Sequence, residues 1–267
     1  SGDLRRNTLF PTSVSKAIAF DLVGGFLQHD TLQPSVGYWL KFPSLVQSVT
    51  IGGSPLLADT IPVVAGWNLI GMINTPVPAS SIVSSPSGII LGNFFGYAPG
   101  YTAADTLEPF RAYWVETSLP GSLILKSAAA LPKIVAAQPK EIAGELFLRD
   151  GSGRKQSLYL ARSGAVTDLR QFNLPPKPPS GAFDIRFTSG RMLDPVTGGR
   201  VENFPLELAG VIYPLTVLWK SSEDLGPVSL ALDGRAVNLA SGTPVTITRA
   251  AGAVALSVGA QPVLPSS

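Results

Sequence analysis

Apolar and polar residues alternate along several short runs of this chain, and such alternation predicts β-strands. In VGYWLKF (36–42), alternate residues from Val36 to Phe42 would lie on one face of a strand, with Gly37, Trp39 and Lys41 on the other. Paired runs around glycine turns predict two hairpins, ELFLRDGSGRKQSLYL (145–160) and VSLALDGRAVNL (228–239). The pattern indicates an all-β fold.

Between these hairpins come two further apolar runs, FDIRFTSG (183–190) and FPLELAGVIYPLTVLWK (204–220). Because proline cannot donate a ladder hydrogen bond, we predict that Pro205 and Pro214 lie at edge positions or strand ends. About seven short strands over residues 144–267 predict a sandwich resembling immunoglobulin or fibronectin type III domains.

The first half of the chain repeats itself. DTLQPSVGYW (30–39) returns as DTLEPFRAYW (105–114), and an offset of 75 residues also aligns Pro11 with Pro86, Phe20 with Phe95 and Gly25 with Gly100. A period this long exceeds the roughly 20 to 50 residues of solenoids and propellers. We therefore expect tandem β-sandwich-like modules with cores of their own.

Within each copy the repeated phrase has a physical interpretation. The Asp side chain is expected to cap backbone N–H groups, and the Pro four residues later to end any helical tendency, so that a turn launches a strand. Copy one has Gly37 and copy two has Ala112 at the same position, and these small residues are expected to leave room for a neighbouring ring.

The two copies differ in what precedes them. IPVVAGWNLIGMINTPVPASSIV (61–83), with a strand-like GWNLIGMI core, leads into copy two, and its counterpart for copy one would fall before Ser1. Copy one is therefore predicted to expose an unpaired edge, to be covered by upstream sequence, by another part of the chain or by another molecule. The predicted division is an incomplete copy one (1–58), a complete copy two (59–130), a connector (131–143) and the C-terminal sandwich (144–267).

Composition narrows the functional classes. Charged residues make up 14% of the 267 residues, the net charge is +2 and the basic residues are scattered, so we expect no nucleic-acid partner. There is no cysteine and a single histidine. The longest weakly polar run, 250–260, is shorter than the roughly 20 residues that a bilayer requires, and we expect no membrane insertion.

Candidate chemistry is sparse. Trp39 and Trp114 are predicted core or sheet-covering aromatics, with stacking on a sugar ring as the alternative. His29 aligns with Ala104, and Lys41 aligns with Glu116 of opposite charge, so neither is a shared catalytic requirement.

Other motifs have structural interpretations that we favour. LPPKPPSG (174–181) is interpreted as a loop or rigid crossing rather than a polyproline ligand, and the DGSG turn at Asp150 as hairpin geometry rather than a calcium loop. Glu223 and Asp224 are expected in a loop, not as a paired acid and base. We therefore assign no catalytic, cofactor-binding or metal-binding residue and predict that the chain is not an enzyme.

The order GWNLIG (66–71), FFGYAPGY (94–101), DTLEPFRAYWV (105–115) and GSLIL (121–125) resembles a module of large bacterial proteins exported by the type IX secretion system. The later segments QSLYL (156–160) and LPPKPPSGAFDIRF (174–187) resemble the unit that often follows it. The resemblance implies an extracellular or cell-surface location and a non-catalytic role. Such proteins typically end in a cleaved sorting domain; this sequence ends at QPVLPSS without one, so the expectation is a mature remainder.

Two functions remain open at this point. The first is a self-assembling structural protein, a filament or sheath subunit in which an identical subunit adds a strand to the open edge of copy one. The alternative is a spacer, or an appendage that binds a glycan or a protein, within a larger secreted enzyme or adhesin.

Overall fold

The computed structural model of the chain describes residues 2–43, 54, 56–127 and 142–259. It is nearly all β, with about half of its residues in strands, and confirms the predicted fold class. Contacts divide the chain into two compact units. Among the described residues, the first unit holds 2–43, 54, 56–97 and 102–127, and the second holds 98–101 and 142–259.

Both copies of the repeat contribute to the first unit. Copy one supplies a one-turn helix and a hairpin, namely α1 (Arg6–Leu9), β1 (Ala17–Asp21) and β2 (Gly25–His29). Copy two supplies the strands β3 (Ala58–Val63), β4 (Gly66–Gly71), β5 (Val77–Pro78), β6 (Val83–Ser85), β7 (Ile90–Tyr97), β8 (Tyr101–Ala103), β9 (Thr106–Leu107), β10 (Ala112–Thr117) and β11 (Gly121–Lys126). A 3₁₀ turn at Ala79–Ser81 occupies the place that α1 has in copy one.

The strands of copy two form three sheets, with orders β4-β10-β7-β8, β3-β11-β6 and β5-β9. Alternate residues of β10 and β11 point into an apolar core, because successive side chains of a strand point to opposite faces. The core of copy two includes Ile61, Ile70, Leu107, Val115, Leu123 and Leu125.

The strand predicted over residues 36–42 of copy one forms only in part. The structure has isolated antiparallel bridges there, Val36 with Ile70 and Trp39 with Ile18, whereas the matching residues of copy two form the continuous strand β10. Residues 44–53 and 55 of the predicted copy one (1–58) lie outside the described residues.

The second unit is built from the strands β12 (Ile142–Arg149), β13 (Lys155–Arg162), β14 (Asp184–Phe187), β15 (Leu193–Val196), β16 (Glu202–Ala209), β17 (Leu215–Ser221), β18 (Val228–Leu232), β19 (Arg235–Asn238), β20 (Pro244–Ile247) and β21 (Val254–Val258). The described residues thus form more strands here than the seven predicted. The connector predicted at 131–143 lies mostly outside the described residues, and its last two residues belong to β12.

Two five-stranded sheets enclose one apolar core in this unit, with orders β15-β13-β12-β17-β20 and β14-β16-β21-β18-β19. Both predicted hairpins are confirmed: β12 pairs with β13 and β18 with β19, around the predicted glycine turns. Asp233 and Gly234 have φ values of 49° and 81°, as a two-residue hairpin turn requires. The sandwich-like architecture is confirmed, and the closer comparison with immunoglobulin and fibronectin domains stays a prediction.

The prediction of an edge position or strand end is confirmed for Pro214 but not for Pro205. Pro214 immediately precedes β17, as predicted for a strand end. The prediction for Pro205 is wrong, since it lies inside β16, between β14 and β21 in the sheet. The carbonyl of Pro205 accepts from the N–H of Thr188, which lies just beyond the last paired residue of β14. The backbone nitrogen of Pro205 carries no hydrogen, and it lies where the pairing of β14 with β16 has ended, so no hydrogen bond of that pairing is lost.

Candidate functional site: the strand shared by the two copies

The repeated phrase makes the same hydrogen bonds in both copies. The N–H of Gln33 donates to the hydroxyl of Tyr38 at 3.0 Å, and the N–H of Glu108 donates to the hydroxyl of Tyr113 at 2.8 Å. Burial raises the pKa of the Tyr113 hydroxyl. Each tyrosine therefore holds the turn that precedes its own strand.

The side chain of Asp30 in copy one does not cap the turn N–H as expected. The carboxylate of Asp30 accepts from the ammonium of Lys16 at 3.1 Å, and the turn N–H is bonded by Tyr38 instead. The aspartate carbonyls do act alike, since Asp30 accepts from the N–H of Arg6 and Asp105 from that of Ala79, both at 2.7 Å. These bonds fasten the start of each phrase to the one-turn helix before it.

The strand β4 serves both copies. It pairs with β10 along its whole length, from Gly66 opposite Thr117 to Gly71 opposite Ala112. It also exchanges two backbone bonds with copy one, because the N–H of Gly37 donates to Leu69 at 3.0 Å and the N–H of Gly71 donates to Ser35 at 2.8 Å.

Glycine permits this close approach on both strands. A Cβ on Gly71 would lie 2.8 Å from the carbonyl oxygen of Val36, and one on Gly37 would lie 2.7 Å from Cγ of Leu69. The neighbour of Gly37 is thus an aliphatic side chain, not the ring that we expected. We call this junction of residues 35–37 with β4 the shared-strand site.

The predicted open edge of copy one is therefore covered in part by the same chain. Of the three ways to cover it, the structure shows the second, in which another part of the chain contributes. The Oγ of Ser35 adds a hydrogen bond to the carboxylate of Asp59 in β3, which brings a second strand of copy two into the junction.

Aromatic rings join the copies beside this junction. Trp114 of copy two packs edge to face against Phe20 and Phe26 of copy one, with ring centroids 4.9 and 6.3 Å apart. In the opposite direction, Trp39 of copy one packs against Tyr97 of copy two at 4.5 Å. Each copy places its tryptophan against the other, which favours one folding unit over two independent modules.

Burial separates the two tryptophans as sugar-stacking candidates. Trp114 is 1% exposed and is a core residue, as predicted, and its indole N–H has no hydrogen-bond partner within the described part of the chain. Trp39 is half-buried, so that part of its ring is accessible to a ligand. Of the repeated pair, Trp39 is thus the remaining candidate for stacking on a sugar.

The other sequence-level candidates do not converge on a catalytic arrangement. His29 is half-buried, with its ring 5.9 Å from that of Tyr38. Glu223 and Asp224 lie in the loop between β17 and β18, as predicted. The guanidinium of Arg162 donates to the carboxylate of Glu223 and to the backbone carbonyl of Asp224.

The proline-rich loop 174–181 is bonded at its start to other residues of the second unit. Leu174 is buried and its N–H donates to Gly190 at 2.9 Å. The carbonyl of Pro175 accepts from the guanidinium of Arg186, which also pairs with Asp184 at 2.7 Å. Because Leu174 and Pro175 are buried and bonded internally, the start of this segment differs from an exposed polyproline ligand.

The DGSG turn is organised around a buried carboxylate. Asp150 accepts from the N–H groups of Ser152, Arg154 and Ile212, and its second oxygen pairs with the Arg154 guanidinium. Burial alone would raise the pKa of Asp150, but these hydrogen bonds outweigh it and lower the pKa to about 2. The aspartate closes the hairpin and ties it to the β16–β17 loop.

Within 2–43, 54, 56–127 and 142–259, no His, Asp and Glu residues form a group of three or more placed to hold a metal ion. In the same part of the chain, no helix has the length and apolar character needed to cross a membrane. No protein-family model, curated protein or solved structure matches the chain.

Proposed function

We propose that this chain is a non-catalytic structural part of a secreted or surface-exposed bacterial protein, where it acts as a spacer or as an appendage that binds a glycan or a protein. The observation that carries the proposal is the shared-strand site, at which β4 bonds to both β10 and residues 35–37. An edge that is occupied within its own chain has less need of a strand from an identical subunit.

The state of the polar side chains supports a structural role. Asp150 and Asp184 are buried in ion pairs that close turns and fix loops, and Glu223 pairs with Arg162. These charges stabilise backbone geometry, which is the work expected of a spacer whose shape must persist.

The location is proposed from the sequence resemblance to type IX cargo modules. The low charge content, 14% of residues, is compatible with an extracellular β protein. Export from a bacterium that has this secretion system, with the full gene product tagged internally, is the direct test of location.

A second candidate is a filament or sheath subunit. It is favoured by the low charge content and by the exposed aromatic Phe110, which is 72% accessible. Strand addition to copy one would require the β4 bonds to residues 35–37 to break first.

Light scattering and negative-stain electron microscopy of the full chain over a range of concentrations separate the two candidates. We expect a monomer at every concentration, and ordered fibres would overturn the proposal in favour of the filament.

A glycan array then tests the appendage. Binding that is lost in Trp39→Ala and retained in Trp39→Phe, which keeps a ring in place, would identify a sugar-binding appendage. A silent array would exclude the glycan-binding appendage and leave the spacer and the protein-binding appendage.

A further inference from the structure

In the second unit, the sheet β15-β13-β12-β17-β20 has an outer face that points away from the core. Leu146 and Leu148 of β12 lie in the apolar core. Because successive side chains of a strand point to opposite faces, Glu145, Phe147 and Arg149 point outward. Each of these three lies directly opposite a residue of β13 and a residue of β17. Directly opposite residues share a face, so the outward side chains form rows across the strands.

One of these rows places two cations directly opposite each other. Arg149 of β12 is in register with Lys155 of β13 on one side and with Thr216 of β17 on the other, and Thr216 is opposite Thr246 of β20. We call these four residues the basic row. Both cations are exposed. Like charges directly opposite each other destabilise a sheet, so the pair is explained better by something that it binds than by the fold.

The nearest carboxylates do not neutralise the basic row. Asp150 follows Arg149 in sequence, but its carboxylate pairs with the guanidinium of Arg154 at 2.6 Å. Glu145 shares the outer face, and its carboxylate lies 3.7 Å from the ammonium of Lys220. In the part of the chain that the structure describes, the two cations of the basic row form no ion pair. Their positive charge is therefore available to an anionic ligand.

The row beside the cations is apolar and carries a ring. Phe147 lies two residues before Arg149 on β12, opposite Ser157 of β13 and Leu218 of β17. Phe147 and Leu218 are half-buried, so part of each side chain is accessible from the outer face. With neighbouring strands about 4.8 Å apart, the basic row spans about 14 Å over its four strands. This is the scale of a short oligosaccharide rather than of a single ion.

We propose that the outer face binds an acidic polysaccharide built from uronic acid residues, with its carboxylates on Arg149 and Lys155. A guanidinium fork matches a carboxylate in geometry and charge. The accessible part of Phe147 packs on the apolar face of a sugar ring, and the hydroxyls of Thr216 and Thr246 bond to those of the sugar. An acidic protein segment would use the cations but would have no need of this combination of ring and hydroxyl groups.

This inference rests on the glycan-binding appendage proposed above and names a ligand class for it. The face belongs to the second unit, whereas Trp39 belongs to the first. Substitution of Trp39 should therefore leave the binding of an acidic glycan unchanged.

The test is an NMR titration of the full chain, labelled with ¹⁵N, with the oligosaccharide trigalacturonate. We expect chemical shift changes at the amides of Phe147, Arg149 and Lys155, and weaker binding as salt is added, because exposed charges are screened. The matched control ligand is the fully methyl-esterified trisaccharide. It keeps the sugar rings but has no carboxylate charge, and should bind about tenfold more weakly or less.

Variants of the chain separate the local site from the overall charge. Arg149→Gln and Lys155→Gln should each weaken trigalacturonate binding about tenfold. Arg235→Gln, the matched control, removes one exposed cation from β19 in the other sheet and should leave binding unchanged. In urea unfolding, Lys155→Gln should be at least as stable as the wild type, because it removes a like-charge pair. A loss of stability would show that the pair serves the fold, and would overturn the proposal.

Four binding results would also overturn it. They are equal binding of the acid and the ester, an equal loss of binding in Arg235→Gln, tighter binding of a hexaglutamate peptide at the same amides, and no shift changes up to the solubility limit of trigalacturonate. The peptide result would make the partner an acidic protein. Ordered fibres would overturn the proposed function without changing this titration. Glycan binding that is lost in Trp39→Ala but kept in Arg149→Gln would retain the appendage and reject this face.

Discussion

The hydroxyl of Tyr113 accepts a hydrogen bond from the backbone N–H of Glu108 at 2.8 Å, and in copy one Tyr38 accepts the same bond from Gln33 at 3.0 Å. Asp-Thr-Leu-x-Pro and Tyr-Trp recur together because one half of the phrase bonds to the other. The repeated phrase is thus a folding device, a turn held by the strand that it launches.

Loss of this bond should destabilise the first unit unequally in the two copies. Tyr113 is 4% exposed and Tyr38 is half-buried, so water replaces the lost partner more readily in copy one. We expect Tyr113→Phe to cost about 1 to 2 kcal/mol and Tyr38→Phe about 0.5 to 1 kcal/mol in urea unfolding. The matched control is Tyr213→Phe in the second unit, and equal costs for Tyr113 and Tyr213 would contradict the account.

The close approach at the shared-strand site should make Gly71 sensitive to any side chain. A Cβ there meets the Val36 carbonyl at 2.8 Å, and backbone cannot give way as a side chain can. We expect Gly71→Val to cost about 2 kcal/mol and to speed hydrogen exchange at the Gly37 amide, which bonds to Leu69. Gly24→Ala is the control, since its Cβ would meet side chains rather than backbone, Leu27 at 3.2 Å and Asp21 at 3.5 Å. Unchanged exchange at Gly37 would sink this explanation.

The aromatic contact between copies should appear as an energetic coupling. Phe20 and Trp114 pack edge to face at 4.9 Å, and they belong to different copies. A double-mutant cycle with Phe20→Leu and Trp114→Leu should give an interaction free energy of about 0.5 to 1.5 kcal/mol. Additive costs would mean that the copies fold without this contact.

Acid should weaken the second unit through Asp150. Its folded pKa of about 2 lies below the ordinary value of 3.8, so the carboxylate contributes stability above pH 3.8 and loses it as the pH falls toward 2. The side chain is fully buried, and the shift corresponds to about 2 kcal/mol. Urea unfolding of the wild type at pH 5 and pH 2.5, monitored by hydrogen exchange at the amides of β12 and β13, should show this loss of stability. Asp150→Asn should lower stability at pH 5 and remove this part of the pH dependence; a pH dependence as steep as that of the wild type would contradict the assignment.

Local sequence signals predicted much of the fold. The hairpins at 145–160 and 228–239 formed where glycine turns separate alternating runs, because turn chemistry and side-chain alternation act between near neighbours. The position of Pro205 was not predicted correctly from local sequence. Its place in an interior strand depends on where β14 stops pairing, which the residues around the proline do not specify.

The candidate site was predictable only in part. Comparison of the two copies predicted that an edge of copy one needs a partner. It did not identify β4 as that partner, because a strand can pair along both of its edges and the choice depends on residues far away in the sequence. The left-handed backbone at Ser35 and Phe110 gave no local signal either, since neither is a residue type that favours positive φ. The offset of 75 residues was the one signal that links them, as it equates the two positions.

An isotope-filtered NMR experiment can show whether the β4 strand that covers the edge of copy one comes from the same chain. Val36 and Ile70 form an antiparallel bridge, so their backbone protons should give a strong NOE in a uniformly labelled sample. In an equal mixture of labelled and unlabelled chains, we predict no such NOE between molecules. An intermolecular NOE between Val36 and Ile70 would contradict the account and show that copy one takes its strand from a neighbouring subunit.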